Sequence, residues 1–200
     1  MILKYLFHVI MFFILAFTTT LPVLAGEPTE QIKQTTEKII AVLNDPALKE
    51  PERAEERKNL VRQAVDERFD WEEMTRRSLA RHWSKRTDEE KQEFISLYSQ
   101  LLERTYLDRV EGYSGETVSY EDERVEGEYG IIKVRVTNSK DVEIPVKYRV
   151  RKKGDEWLVY DVYVEGVSLV NNYRVQFNSI ITRSSYNKLV KKLKNKIAQK

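Results

Sequence analysis

The 200-residue chain contains no cysteine and only two histidines, His8 and His82. Without cysteine there is no disulfide, no thiolate nucleophile and no lipid attached through an N-terminal cysteine, so the fold must be held by its core alone. A zinc or iron centre would have to be carboxylate-rich, and no group of acids has the spacing that gathers several on one helix face. Net charge is nearly absent as well: 34 Lys and Arg against 32 Asp and Glu leave +2. The signs are mixed along the chain, whereas a nucleic-acid binder needs a dominant basic surface. Glycine is scarce, with seven residues, and no Gly-rich phosphate loop, Gly-x-Ser-x-Gly elbow or dinucleotide fingerprint occurs. His82, in "ARHWSKR", has no partner at metal-ligand spacing and reads as a surface or packing residue.

One long apolar run is present, at the start. Residues 1–25, "MILKYLFHVIMFFILAFTTTLPVLA", carry one charge at Lys4, an apolar stretch from Tyr5 to Phe17, then Pro22 and small residues ending at Ala25. This is the layout of a secretory signal peptide cleaved after Ala25, with an export destination outside the cytoplasm. An uncleaved anchor is the alternative, but the run is short for a membrane span. Residues 26–200 then read as one domain.

Within them, Ile32, Thr36, Ile39, Ile40 and Leu43 have helical spacing, closed by Pro46 and Pro51. Leu60, Val61, Ala64 and Val65 predict a second helix ending near Phe69. Asp70 with Glu73 is a capping-box signature opening a short helix through Leu79 and Trp83, and Thr87 with Glu90 opens the strongest helix, with Phe94, Leu97, Tyr98, Leu101, Leu102 and Tyr106 on its apolar face.

After "EGYSGE" the period changes from 3.6 to 2, predicting strands over 116–121, 130–137, 142–151 and 156–164. The third alternates cleanly, with Val142, Ile144, Val146, Tyr148 and Val150 opposite Glu143, Lys147, Arg149 and Arg151, and "KKGDE" makes a hairpin turn. Leu169, Tyr173, Phe177, Ile180 and Ile181 give a further helix. The Lys-rich tail carries Leu189, Leu193 and Ile197 at every fourth position, an amphipathic helix that either packs on the domain or meets an anionic surface. Helices, then an antiparallel meander, then helices make an α+β fold, helices packed on a curved sheet around an apolar cavity.

The fourth strand, "EWLVYDVYV", is apolar on both faces. Alternation places Leu158, Tyr160, Val162 and Val164 on one side and Trp157, Val159 and Tyr163 on the other. Something must cover the second face: helices, another subunit or a ligand. Asp161 is the one suspicious acid. Inside an apolar cavity it would be a general base, making the protein a small-molecule isomerase or dehydratase with a cone-shaped cavity. The alternative is a structural acid held by Arg149, Arg174 or backbone N–H groups.

The strings "VYDVYVEGVSLVNNYRVQFNSII" and "RHWSKRTDEEKQEFISLYSQLLERTYLDRVEGYSGETVSY", with the Lys-rich end, resemble the MlaC or toluene-tolerance family from about residue 30 onward. The resemblance implies a fold related to nuclear transport factor 2 and a periplasmic carrier of diacyl phospholipid. It also implies an inner-membrane ABC transporter complex and an outer-membrane lipoprotein–porin complex as partners, a role in outer-membrane lipid asymmetry, no catalysis, no cofactor and a monomeric state. By resemblance and facing, the lipid pocket is expected to be lined by Tyr98, Leu101, Tyr106, Val134, Val136, Val146, Tyr148, Tyr160, Val162, Val167, Val170 and Tyr173. The sequence departs from the family at "ITRSSYNKLVKKL", where members often have a Gly-rich turn before the last helix.

Overall fold

The computed structural model describes residues 26–113 and 115–198, with backbone alone for residues 107–111. The expected signal peptide, residues 1–25, lies outside the described residues. The first helix, α1 (Glu27–Asn44), begins with Pro28 and acids at Glu27 and Glu30, which suit the positive end of the helix dipole. Its N-terminus is completed from the sheet, because the Thr29 N–H donates to Glu123 Oε2 at 2.9 Å. Two single turns of 3-10 helix at Pro46–Leu48 and Pro51–Arg53 lead into α2 (Ala54–Arg68).

Both helices with capping signatures open at the expected caps, but only the second closes a reciprocal box, because the Asp70 N–H donates to Val159 O and Glu73 pairs with Arg76 and Arg77. Asp70 accepts the Glu73 N–H at 3.0 Å and opens α3 (Trp71–Leu79). Thr87 and Glu90 exchange reciprocal bonds of 3.1 and 3.2 Å and open α4 (Asp88–Glu111). Ala80 takes a left-handed φ of 46°, so α3 stops at Leu79 and a 3-10 turn carries the chain to Lys85 instead of one helix running through Trp83.

The sheet comprises β1 (Thr117–Glu126), β2 (Tyr129–Thr137), β3 (Glu143–Lys153), β4 (Glu156–Val164) and the two-residue β5 (Val167–Ser168), antiparallel in sequence order. β1 runs five residues beyond the expected strand, through "DERVE". That stretch has no apolar alternation, and its pairing to β2 overrides its weak β-propensity. The chain closes with α5 (Leu169–Arg183) and α6 (Tyr186–Ala198).

Register resolves the two-faced strand. β3 pairs Val150 with Val159 but Arg149 with Asp161, so Tyr160 is an extra residue in a bulge. The bulge shifts alternation by one position. Val162 therefore shares the face of Trp157 and Val159, not that of Tyr160 as strict alternation predicts, and Tyr160 and Asp161 both turn to the opposite side. A second irregularity, between Tyr120 and Asp122, places Glu123 on the face of Tyr120, where it reaches α1.

Two cores result. One lies on the sheet face beneath α1 and contains Ile32, Ile132, Val134, Val150, Trp157 and Val159. The other lies among α3, α4, α5 and α6, reaches the sheet through Tyr160, and contains Met74, Phe94, Tyr98, Leu101, Val170, Tyr173 and Phe177. Phe69 touches both and bridges to the edge of β4 at Val159. So helices of its own chain cover both faces of β4 from Trp157 to Tyr160, whereas Val162 stays half-buried and Val164 exposed. Tyr186, Leu189, Val190 and Leu193 of α6 are buried in the helical core, which assigns the stripe of the basic tail to packing rather than to a membrane.

Candidate functional site

The sheet face under α1 is apolar well beyond what α1 covers. Residues paired across the strands share a face, so Val118, Tyr120, Val134, Val136, Ile144, Val146, Tyr148 and Val162 form one continuous surface. Val134 is buried, whereas the other seven are half-buried. Tyr148 is the informative one. Protein surrounds its phenol closely enough for burial to push the pKa up to about 12, yet the residue retains accessible surface.

The expected lining divides between the two cores. Val134, Val136, Val146, Tyr148 and Val162 lie on this sheet face. Tyr98, Leu101, Tyr160, Val170 and Tyr173 are packed in the helical core, all at 6% exposure or less, and Tyr106 sits half-buried at its margin. Tyr98 shows how tight that packing is: its ring meets Tyr173 and Phe177 edge-on at 5.2 and 5.5 Å, its hydroxyl accepts from Ser78 at 3.1 Å, and burial raises its pKa. Val167, paired with Val164 on the short edge strand β5, is 61% exposed. The "EGV" corner is a turn with Glu165 at φ 50° and Gly166 at φ 82°, the conformation for which glycine suits the second position.

Val118, Tyr120 and Ile144 share the apolar sheet face and were not among the expected lining residues. For Ile144 the signal was the same period-two alternation that singled out Val146 and Tyr148. β1 offered a weaker one, Val118 and Tyr120 alone.

Asp161 does not face the apolar surface. It is 4% exposed, and its two oxygens accept from Ser168 Oγ at 2.7 Å and from the Val170 N–H at 3.1 Å. Ser168 in turn caps α5 by accepting the Asn171 N–H at 2.9 Å. The acid therefore joins β4 to the start of α5, and its partners are a hydroxyl and a backbone N–H rather than an arginine. His82 bonds to Asn178 at 3.0 Å, a packing contact. Among the described residues no group of three or more His, Cys, Asp or Glu is placed to hold a metal ion.

On the side of β4 away from the apolar face, a cleft of about 520 Å³ opens between β4 and α5. Arg77, Arg149, Arg174, Asn171 and Asn172 line it together with Tyr160 and Tyr163. Sequence patterning did not reveal this cleft, since its cations come from α3, β3 and α5 and share no local motif.

An α+β chain whose sheet presents a half-covered apolar face has the surface of a protein that holds an apolar ligand. The profile of the family described as MlaC protein matches residues 33–195. The chain belongs to that family. A relative from Haemophilus influenzae, named "Intermembrane phospholipid transport system binding protein MlaC", is 22% identical over 203 residues, spanning 98% of this chain and 95% of its own. A solved structure from Ralstonia solanacearum, a phospholipid-binding protein in complex with a phospholipid, superposes with a TM-score of 0.77 at 27% identity, covering 87% of this chain and 98% of its own.

Proposed function

We propose that this protein binds phospholipid and carries it between membranes as the soluble component of an intermembrane transport system. The observation that carries this reading is the likeness, over nearly its whole length, to a family member that holds a phospholipid. The half-covered apolar sheet face supplies the chemistry. Two acyl tails contain about 30 methylenes, and at about 0.8 kcal/mol each, exposing them to water costs on the order of 20 kcal/mol. A carrier must hide nearly all of that surface. A bilayer hides it too, so transfer is a near-balanced exchange, and direction comes from the partners at either end.

The tails lie against Val134, Val136, Val146, Tyr148 and Val162, while Tyr98, Leu101, Tyr160, Val170 and Tyr173, with Tyr106 at their margin, form the helical core on the other side of the sheet. Such a surface recognises chain length and not headgroup. The protein works in the periplasm as a monomer after loss of residues 1–25, receiving and delivering lipid at an inner-membrane ABC transporter complex and an outer-membrane lipoprotein–porin complex. It carries out no reaction and needs no cofactor. The enzyme reading gains nothing from Asp161, whose oxygens are taken up in capping α5.

The test is native mass spectrometry of chain expressed into a bacterial periplasm and purified without detergent, followed by solvent extraction. Copurified diacyl phospholipid is the expected result. Protein that arrives empty and also fails to take up phospholipid from vesicles overturns the proposal.

A further inference from the structure

The cationic cleft lies on the face of β4 opposite the apolar surface, so lipid seated there does not fill it. Three guanidinium groups line it against one carboxylate, Asp161, whose oxygens are already engaged. Arg77 is paired with Glu73 at 2.6 Å and lies over the Tyr160 ring at 4.2 Å. Arg149 and Arg174 differ from it. Among the described residues neither has a carboxylate partner: Arg149 reaches only the Tyr163 hydroxyl at 3.5 Å and lies over the Tyr160 and Tyr163 rings at 6.0 and 5.8 Å, and Arg174 donates to the Arg77 carbonyl at 2.9 Å. In a chain with 32 acids for 34 cations, two unpaired arginines converging on one cleft mark a local field of one sign.

A second observation is independent of charge. The most exposed large apolar residues among the described ones are Val175, at 62%, and Val167, at 61%, and both line this same cleft. Unpaired guanidinium groups flanked by exposed aliphatic side chains match a bilayer surface, where phosphate lies just above acyl chains. At the N-terminus of α5 the Val170 and Asn171 N–H groups are already taken by Asp161 and Ser168.

We propose that this cleft is a docking site for the phosphate groups of anionic phospholipids in a membrane surface, with Arg149 and Arg174 holding phosphate and Val167 and Val175 entering the interface. It rests on the carrier reading, and it gives the protein a hold on the membrane separate from the cargo pocket.

The experiment is co-flotation of the lipid-loaded protein with vesicles of phosphatidylcholine, with and without phosphatidylglycerol, comparing wild type with R149Q/R174Q and with V175S. Wild type is expected to float with the phosphatidylglycerol vesicles, and less so as salt rises. R149Q/R174Q should bind them roughly tenfold or more weakly and V175S severalfold more weakly, each keeping a wild-type thermal midpoint and wild-type bound lipid. Wild type that ignores anionic vesicles, or R149Q/R174Q that binds them as well as wild type, overturns the proposal. Inorganic phosphate binding at the cleft, followed by NMR, without any vesicle binding would reassign the site to free phosphate and likewise overturn it. Loss of bound lipid is read separately by extraction, so failure of the carrier reading is distinguishable from failure of this one.

Discussion

At the scale of single residues, two buried acids anchor α3, Asp70 by pairing with β3 and Glu73 by pairing chiefly within the helix. Asp70 accepts from Arg151 Nε at 2.6 Å, and Glu73, 3% exposed, accepts from Arg76 Nε at 2.7 Å and Arg77 Nε at 2.6 Å. Burial alone would raise the Glu73 pKa, but the bonds from Arg76 and Arg77 outweigh it and hold the carboxyl below its ordinary 4.5. A carboxyl whose pKa is lower folded than unfolded contributes stability that is complete above 4.5 and lost as pH falls through the folded value. The urea midpoint should therefore drop on acidification below that point, and E73Q should show a shallower drop from a lower starting stability. Asp161 calls for a different measurement. D161A strands the Ser168 hydroxyl and the Val170 N–H, at about 1–3 kcal/mol for each unsatisfied group, while D161N keeps one acceptor and loses less. Denaturant melts should rank wild type, D161N and D161A in that order, with phospholipid content unchanged in whichever variants remain folded. A loss of lipid from folded D161N would contradict the structural role.

At the scale of elements, the bulge at Tyr160 decides which residues of β4 meet cargo. Val162 lies half-buried on the apolar face, whereas Val170 is 2% exposed in the helical core and its N–H is bonded to Asp161. V162N should leave the melting temperature near that of wild type and reduce copurified lipid severalfold. V170N buries an amide in a packed core and should lose a few kcal/mol of stability, seen as a lower denaturant midpoint. Equal lipid content in V162N and wild type would remove this face as the tail site. Element boundaries were legible where side chains act locally: the N-caps at Asp70 and Thr87 both lie where spacing places them.

At the scale of the whole molecule, cargo is part of the core. A ligand that binds only the folded state stabilises it by mass action. Apolar surface left facing an empty space forfeits contacts that tails would supply. Delipidated protein should therefore melt several degrees below the loaded form, and returning phospholipid should restore the midpoint in calorimetry. An unchanged midpoint would mean that the bound lipid lies outside the core.

Sequence by itself determined the fold class, the order of helices and strands, the capped helix starts and the family, because these follow from short-range periodicity, local hydrogen bonds and a conspicuous string around "EGVSLVNNYR". It also marked the apolar positions from which the pocket is drawn. Tertiary structure alone decided how those positions divide, placing Val134, Val146, Tyr148 and Val162 on the open sheet face and Tyr98, Leu101, Val170 and Tyr173 in a packed helical core. It also assembled the cleft of Arg77, Arg149 and Arg174 from three separate elements. One extra residue in a strand inverts every facing beyond it, and a bulge is a property of two paired strands that neither strand carries alone.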